Sequence, residues 1–315
     1  MYNGYKMTII EKLKIIRDVS GLTQEKLAKK LGVSFVSFNS WINDKSKPRQ
    51  KAKENIDNLF FAYTGQKEEI GDPLVAKKEI ILQRAKKHKN ILAEIVKNPD
   101  IYGQFLLALT YHTNKLEGST LTENETKAIL FDNIALSNKS IVEQLEVKNH
   151  QTVLNYLFNQ ISLSSFKIDE KFILKLHSIL MNSIRDDAGS FRKHAVRIVG
   201  TYVPTANYFK IPQLMNKLIK EINSKKKDVI AHISDIHSCF EKIHPFSDGN
   251  GRIGRLIMIA MLLKNNLPPA VIKQQKRRFY NSSLGKSQLK EDFVPLENFI
   301  CDSILSGFLI LERRQ

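Results

Sequence analysis

Within twelve residues, from His244 to Arg255, the chain reads HPFSDGNGRIGR, which crowds a histidine, a carboxylate, three glycines, an asparagine and two arginines together. Gly249 and Gly251 free the backbone around Asn250, so that successive N–H groups can turn inward and form an anion nest. An apolar run follows at once, so the nest opens a helix, and a helix N-terminus is a phosphate site. Arg252 and Arg255 lie one turn apart and can reach the same anion with planar, multidentate guanidinium groups. Asp248 supplies the single carboxylate that, beside phosphates, suits Mg²⁺. His244 lies where the preceding helical stretch ends and fits a general base toward a hydroxyl. Phe246 is the expected buried wedge of the loop. The parts add up to a site for Mg²⁺ and a di- or triphosphate with a base beside it, which is the chemistry of phosphoryl or nucleotidyl transfer.

Other chemistries fail on their signatures. No Gly-x-x-x-x-Gly-Lys-Ser/Thr run marks a P-loop. The run before His244, VIAHISDIHSCFEKI, has helical spacing, whereas a dinucleotide fingerprint follows a strand. His232 and His237 on that run lack a third ligand and read as surface or packing residues. Cys239 and Cys301 are far apart and match no disulfide framework or zinc spacing.

The string His-x-Phe-x-Asp-Gly-Asn-Gly-Arg-x-x-Arg resembles the Fic motif at all eight specified positions, and the resemblance extends over roughly residues 75–315, including RRFYNSSL after the motif. It implies an α-helical domain that transfers AMP from ATP to a protein hydroxyl. His244 would deprotonate a Ser, Thr or Tyr of the target, or of the chain itself. Asp248 would hold Mg²⁺. The Gly249–Asn250–Gly251 backbone and Arg252 would cradle the phosphates, and Arg255 would hold the γ-phosphate. Ser190 to Pro204, SFRKHAVRIVGTYVP, is similar to the family's hairpin flap, on which a target segment docks by main-chain hydrogen bonds. Thr113 to Gly118, TNKLEG, resembles the family's inhibitory motif, so Glu117 would pair with Arg255 and deny it to the γ-phosphate. Two further readings use the same residues: a hydrolase that removes AMP from proteins, with Glu117 aligning a water, and a DNA-binding regulator that senses nucleotide.

These residues need elements to position them. Helical periodicity runs through QFLLALTYHTNKLEG, IDEKFILKLHSILM and IPQLMNKLIKEIN, and Thr122 with Glu125 has capping-box spacing. FRKHAVRIVGTYVPT alternates about Gly200-Thr201 and predicts a hairpin. The expected fold class is all-α: a Fic-like helical domain with one β-hairpin flap, plus a small N-terminal helix-turn-helix domain. The predicted bounds are 1–64 for the helix-turn-helix domain, 65–74 for a linker and 75–315 for the larger domain, with an inhibitory helix near 101–118. One helical stretch is expected from Val75 to Lys97, stopped by Pro99.

The N-terminal stretch LTQEKLAKKLGVSFVSFNSWINDKSKP, residues 22–48, resembles the phage-repressor type of helix-turn-helix. Gly32 sits where one helix stops and the next begins. The resemblance implies that Gln24 touches a phosphate and that a second helix enters the major groove, with Ser37, Asn39 and Ser40 reading bases. Ile42, Asn43 and Asp44 depart from the family's Glu-x-Gly, and Phe35 falls on the open side of the helix, which also fits a protein-interaction or dimerisation module. The net charge of +17 suits polyanionic partners such as DNA. The longest apolar run, Leu256 to Leu263, reads as a buried helix rather than a membrane span. No membrane role and a cytoplasmic location are expected.

Overall fold

In the computed structural model, residues 7–64, 72–198 and 202–313 are described. The chain divides into two compact units, one ending at Lys87 and the other beginning at His88.

The first unit holds α1 (Ile9–Ser20), α2 (Gln24–Leu31), α3 (Phe35–Ile42), α4 (Gln50–Thr64) and α5 (Pro73–Ala85). Thr8 and Glu11 form a full capping box on α1. Thr23 and Ser34 cap α2 and α3 through their hydroxyls. Gly32 ends α2 in the left-handed region at φ 69°, which turns the chain straight into α3. Leu13, Ile16, Leu27, Phe38 and Ile56 are fully buried and form the core between these helices. The buried Lys77 of α5 reaches Asp18 of α1 at 3.1 Å, and Arg84 donates to the carbonyl of Val19. Helix α5 therefore belongs with the N-terminal helices. This corrects the expected boundary, which placed everything from residue 75 in the larger domain. The expected helix from Val75 to Lys97 is also broken. Asn90 caps a new helix, α6 (Ile91–Lys97), with its side chain, and the units divide just before it.

The second unit continues with α7 (Pro99–Glu117), α8 (Glu123–Phe131), α9 (Ile141–Ile161), α10 (Glu170–Leu180), α11 (Ile211–Ile222), α12 (Val229–Ile243), α13 (Asn250–Lys264), α14 (Arg277–Lys290) and α15 (Val294–Leu311). The predicted capping box of Thr122 and Glu125 starts α8. Asn98 caps α7, Pro99 takes its first position, and Gly118 ends it in the left-handed region. Helix α13 is buried on nearly every face, from Arg252 to Leu263, as the apolar run predicts. It packs against α12, α9, α10 and α7, so its N-terminus is held from several sides. Helix α15 is long and apolar enough to cross a membrane, but its apolar residues Phe299, Ile300, Ile304 and Phe308 are buried in this core.

The described parts of the 190–204 segment contain no strand, which corrects the expected hairpin flap. Its expected turn at Gly200-Thr201 lies outside the described residues. The two arms are joined instead by the Thr205 hydroxyl, which donates to the carbonyl of Val196 at 2.8 Å, and by Arg192. The reason is local: side chains capture the carbonyls that a strand ladder would use.

Candidate active site

Helix α12 ends at His244, whose backbone adopts the left-handed region at φ 53°, ψ 61° and whose N–H donates to the carbonyl of Phe240. A non-glycine residue there is strained, and one followed by proline more so. The turn re-aims the imidazole. Its Nδ1 lies 3.2 Å from the carbonyl of Glu241. A carbonyl can only accept, so Nδ1 carries the proton and Nε2 keeps its lone pair. Burial, more than anything else, lowers the His244 pKa; the hydrogen bond to the Glu241 carbonyl opposes this, Arg192 lowers it further, and Glu117 and Asp248 pull the other way. The side chain is therefore a neutral imidazole near pH 7, as a general base must be.

The loop after His244 is locked from inside. Phe246 is fully buried and stacks on the ring of His177, with centroids 3.8 Å apart. The Phe246 N–H donates to Asn250 Oδ1 at 2.8 Å, and Asn250 Nδ2 donates back to the Phe246 carbonyl at 2.9 Å. The Asn250 side chain is thus spent on closing the loop, and only its backbone is left for an anion. Gly249 starts α13 at φ 76°, where a Cβ would also come within 3.0 Å of Met181 Sδ. Asp248 is exposed, and its Oδ1 accepts from the Gly249 N–H at 2.6 Å. Its second oxygen leaves a hard, single-carboxylate donor of the kind Mg²⁺ takes when phosphates complete its shell, so the donor set fits that ion.

His177 was not singled out from sequence as part of the site. Its Nδ1 accepts from the Gly189 N–H at 2.8 Å, so its Nε2 donates to the Asp248 carbonyl at 3.2 Å. Burial pulls its pKa down to about 4, which keeps the ring neutral, and the two hydrogen bonds fix its tautomer.

The two motif arginines separate. Arg252 is buried and pairs with Glu146 of α9 at 2.6 Å, while its Nη2 lies by Met181 Sδ. Its guanidinium is thus held within the protein, where the sequence reading has it cradling phosphates. Arg255 is also buried. Its Nε donates to the Thr113 hydroxyl at 2.7 Å, and its Nη2 meets Glu117 Oε1 at 2.6 Å. The Glu117 carboxyl is driven up by burial, but the charge and hydrogen bond of Arg255 outweigh this and hold its pKa low. A Cβ on Gly251 would lie 2.6 Å from Glu117 Oε1. The Glu117 carboxylate therefore lies against the first turn of α13, where an anion is favoured.

Glu117, His244, Gly251 and Arg255 line one open cavity of about 440 Å³, together with Arg277, Tyr280, Asn281 and Gln288 from α14, and with the fully exposed Tyr202. Glu241 lines it too and was not anticipated. It is buried, its Oε1 has no hydrogen-bond partner, and burial raises its pKa to about 7 despite the nearby Arg255. His237 is a packing residue as expected: it is buried, with Nε2 2.6 Å from the Tyr280 hydroxyl.

In the first unit, Asn39 Nδ2 donates to Gln24 Oε1 at 3.1 Å. Ser37 pairs with Ser34, and Ser40 with Ser46. Phe35 and Val36 stand exposed at the start of α3, with Val36 at 75%.

Residues 167–262 match the family model described as Fic/DOC family. Over 200 residues the chain is 31% identical to the protein adenylyltransferase Fic of Drosophila ananassae, covering 61% of this chain and 39% of that protein. Over 201 residues it is equally similar to the protein of the same name from Aedes aegypti. The chain thus spans about two fifths of the length of these relatives. Among solved structures, a Fic-domain-containing signalling protein from Bacteroides thetaiotaomicron superposes with a TM-score of 0.65 at 22% identity, covering 75% of this chain and 97% of that one. A segment of Fic-1 from C. elegans superposes with a TM-score of 0.61 at 18% identity, covering 96% of each chain. At these identities the likeness shows a shared fold.

Proposed function

We propose that the second unit is a protein adenylyltransferase restrained by its own Glu117. The observation that carries this reading is the shared cavity: the neutral His244, the start of α13 and Arg255 all face it, and the Glu117 carboxylate already sits on that arginine. The relatives named protein adenylyltransferase support the same activity. In the proposed reaction a target hydroxyl attacks the α-phosphorus of ATP. His244 Nε2 takes the hydroxyl proton, an O–P bond forms to the target, and the bond between the α-phosphorus and its bridging oxygen breaks to release pyrophosphate. The Gly249–Gly251 backbone at the head of α13 holds the phosphates, and Arg255 is the natural partner of the terminal one. Asp248 would hold Mg²⁺, whose chemistry is to neutralise phosphate charge during transfer. A strained loop, locked by Phe246, Asn250 and His177, keeps the base and the anion site in register.

In the resting arrangement the Glu117 carboxylate fills the place that a γ-phosphate needs. The decisive experiment follows AMP incorporation from labelled ATP with Mg²⁺ into a cell lysate and into the chain itself, checked by intact mass. Transfer is expected to be weak in the wild type, strong in Glu117→Gly and absent in Glu117→Gly with His244→Ala. No labelling in any of the three folded proteins would overturn the reading.

For the first unit we propose DNA binding through α3. The α2–Gly32–α3 arrangement supports it, as does the pairing of Gln24 with Asn39, which would present one amide to a phosphate and the other to a base edge. A mobility shift that weakens steeply with salt and loses sequence preference in Asn39→Ala is the expected result.

A further inference from the structure

The His244 turn is strained, yet nothing within the motif grips its carbonyls. Arg192 does. Its backbone N–H donates to the carbonyl of Pro245 at 3.0 Å. Its Nε donates to the carbonyl of His244 at 2.7 Å, and its Nη2 reaches toward that of Ile243 at 3.5 Å. Three successive carbonyls of the catalytic turn thus face one residue. The same guanidinium donates to the carbonyls of His194 and Ala206, both at 2.6 Å, and so ties the two arms of the 190–207 segment to the turn. Arg192 is 3% exposed. Every hydrogen-bond partner of its side chain is a backbone carbonyl, and no carboxylate pairs with it among the described residues.

We propose that Arg192 is the positioning residue for His244, holding the base in its left-handed turn and fixing it to the chain at His194 and Ala206. This rests on the reading of His244 as the base. Two features make arginine the fitting residue. The guanidinium spreads its donors over three nitrogens in a rigid plane and so spans four carbonyls, whereas a lysine ammonium carries three donors on a single atom. A buried cation without a carboxylate partner also keeps its full field, which opposes protonation of the imidazole beside it. The other charged and titratable groups around that imidazole are Glu117 from α7 and Asp248 from the loop, which oppose Arg192, with Glu241 from α12, Arg255 from α13, and Arg277 and Tyr280 from α14 lining the same cavity.

The test uses the full chain in the Glu117→Gly background, with Arg192→Lys and Arg192→Met. Steady-state AMP transfer is measured from pH 5 to 9, alongside thermal unfolding. Lysine keeps the charge but loses the fork. It is expected to lower kcat by about 10-fold or more, with the KM for ATP within about 3-fold of the parent. Methionine loses both. It is expected to lower kcat by about 100-fold and to move the acid limb of the profile up toward the ordinary imidazole value of about 6.5. If folded Arg192→Met keeps the parent's kcat and acid limb, or if KM for ATP rises in proportion as kcat falls, the proposal is overturned. If Arg192→Met does not fold, Arg192→Lys decides alone: a fall in kcat at constant KM supports the proposal, and a parental kcat refutes it. If the Glu117→Gly parent transfers no AMP, the proposed activity has failed rather than this inference. An NMR titration of His244 in the same proteins then reads Arg192 directly: a midpoint that rises in the methionine variant supports it, and an unchanged one sinks it.

Discussion

Glu241 makes the stability of the second unit depend on pH in a direction opposite to that of its histidines. Its carboxyl is buried, Oε1 has no partner, and its pKa is raised from 4.5 to about 7. Unfolded, the group loses its proton near 4.5; folded, it keeps it to about 7. Between those values the native state binds the extra proton, so stability falls as pH rises. The gap is worth about 3 kcal/mol in full, and about 2.5 kcal/mol between pH 5 and pH 8. Three buried imidazoles and the half-buried one of His112 work the other way. Burial lowers His112 and His177 to about 4, and His150 and His237 to about 3. Their stabilising effect is present above the ordinary imidazole pKa and is lost as pH falls toward those values. The wild type therefore carries both trends, and only a comparison separates them. Glu241→Gln keeps the shape and cannot ionise. Denaturant titrations of both proteins at pH 5 and pH 8 share the histidine terms, which cancel in the difference. The glutamine variant is expected within about 1 kcal/mol of wild type at pH 5. At pH 8 it should gain about 2.5 kcal/mol relative to that, or roughly 5–10 °C in Tm for a unit of this size. A difference that does not change with pH would show that the carboxyl ionises without cost in the folded protein, and the argument from its burial would fail.

Replacing Glu117 by glutamine keeps a hydrogen bond to Arg255 but removes its charge; since the carboxylate is about one third exposed, solvent discounts the loss to about 1–2 kcal/mol. AMP transfer by Glu117→Gln should therefore lie about 5- to 30-fold above wild type and below Glu117→Gly, and a rate equal to wild type would argue that bulk rather than charge does the blocking. A Cβ on Gly254 would lie 2.5 Å from Glu241 Oε1 and 3.1 Å from Phe240, so Gly254→Ala should lose about 1–3 kcal/mol in a denaturant titration. Asn250→Ala removes both hydrogen bonds that close the Phe246 loop, and should cost about 2–3 kcal/mol in the same titration while raising the KM for ATP.

What could be read from the sequence was what lay contiguous in it. His244, Asp248, Gly249 and Arg255 sit within one turn and one helix start, so local geometry alone brings them together. The capping box at Thr122 and the buried run after Arg255 were legible for the same reason, because each is set by neighbours three or four residues away. Partners supplied by packing were not. Glu146, His177 and Glu241 each look ordinary in the sequence, and only the crossing of α9, α10 and α12 on α13 gives them a task; Arg192 gains its own from the fold of the segment after α10 onto the His244 turn. The domain boundary was misread on similar grounds: the ion pair of Lys77 with Asp18 joins residues far apart in the chain. The alternation around residue 200 suggested strands, but Arg192 and Thr205 take up carbonyls on both arms.

The placing of Glu117 explains how a restraint could be firm and still releasable. It is the last residue of α7, where the negative end of the helix disfavours a carboxylate. Across the gap, the start of α13 and Arg255 favour one. The resting pose is therefore held from the far side and weakened by its own helix. The two partners also differ in what release would cost them. Arg255 stays anchored when the carboxylate leaves, because its Nε is held by Thr113, one turn back on the same α7. The Glu117 side chain is also partly open to solvent, so release exchanges a desolvated carboxylate for a hydrated one. A small displacement of the C-terminal turn of α7 would then remove the carboxylate and leave the guanidinium aimed at the anion site. Under the proposed activity, a signal acting on α7 need only shift that last turn, since the base and the loop are held by other elements and the arginine by Thr113, one turn before it.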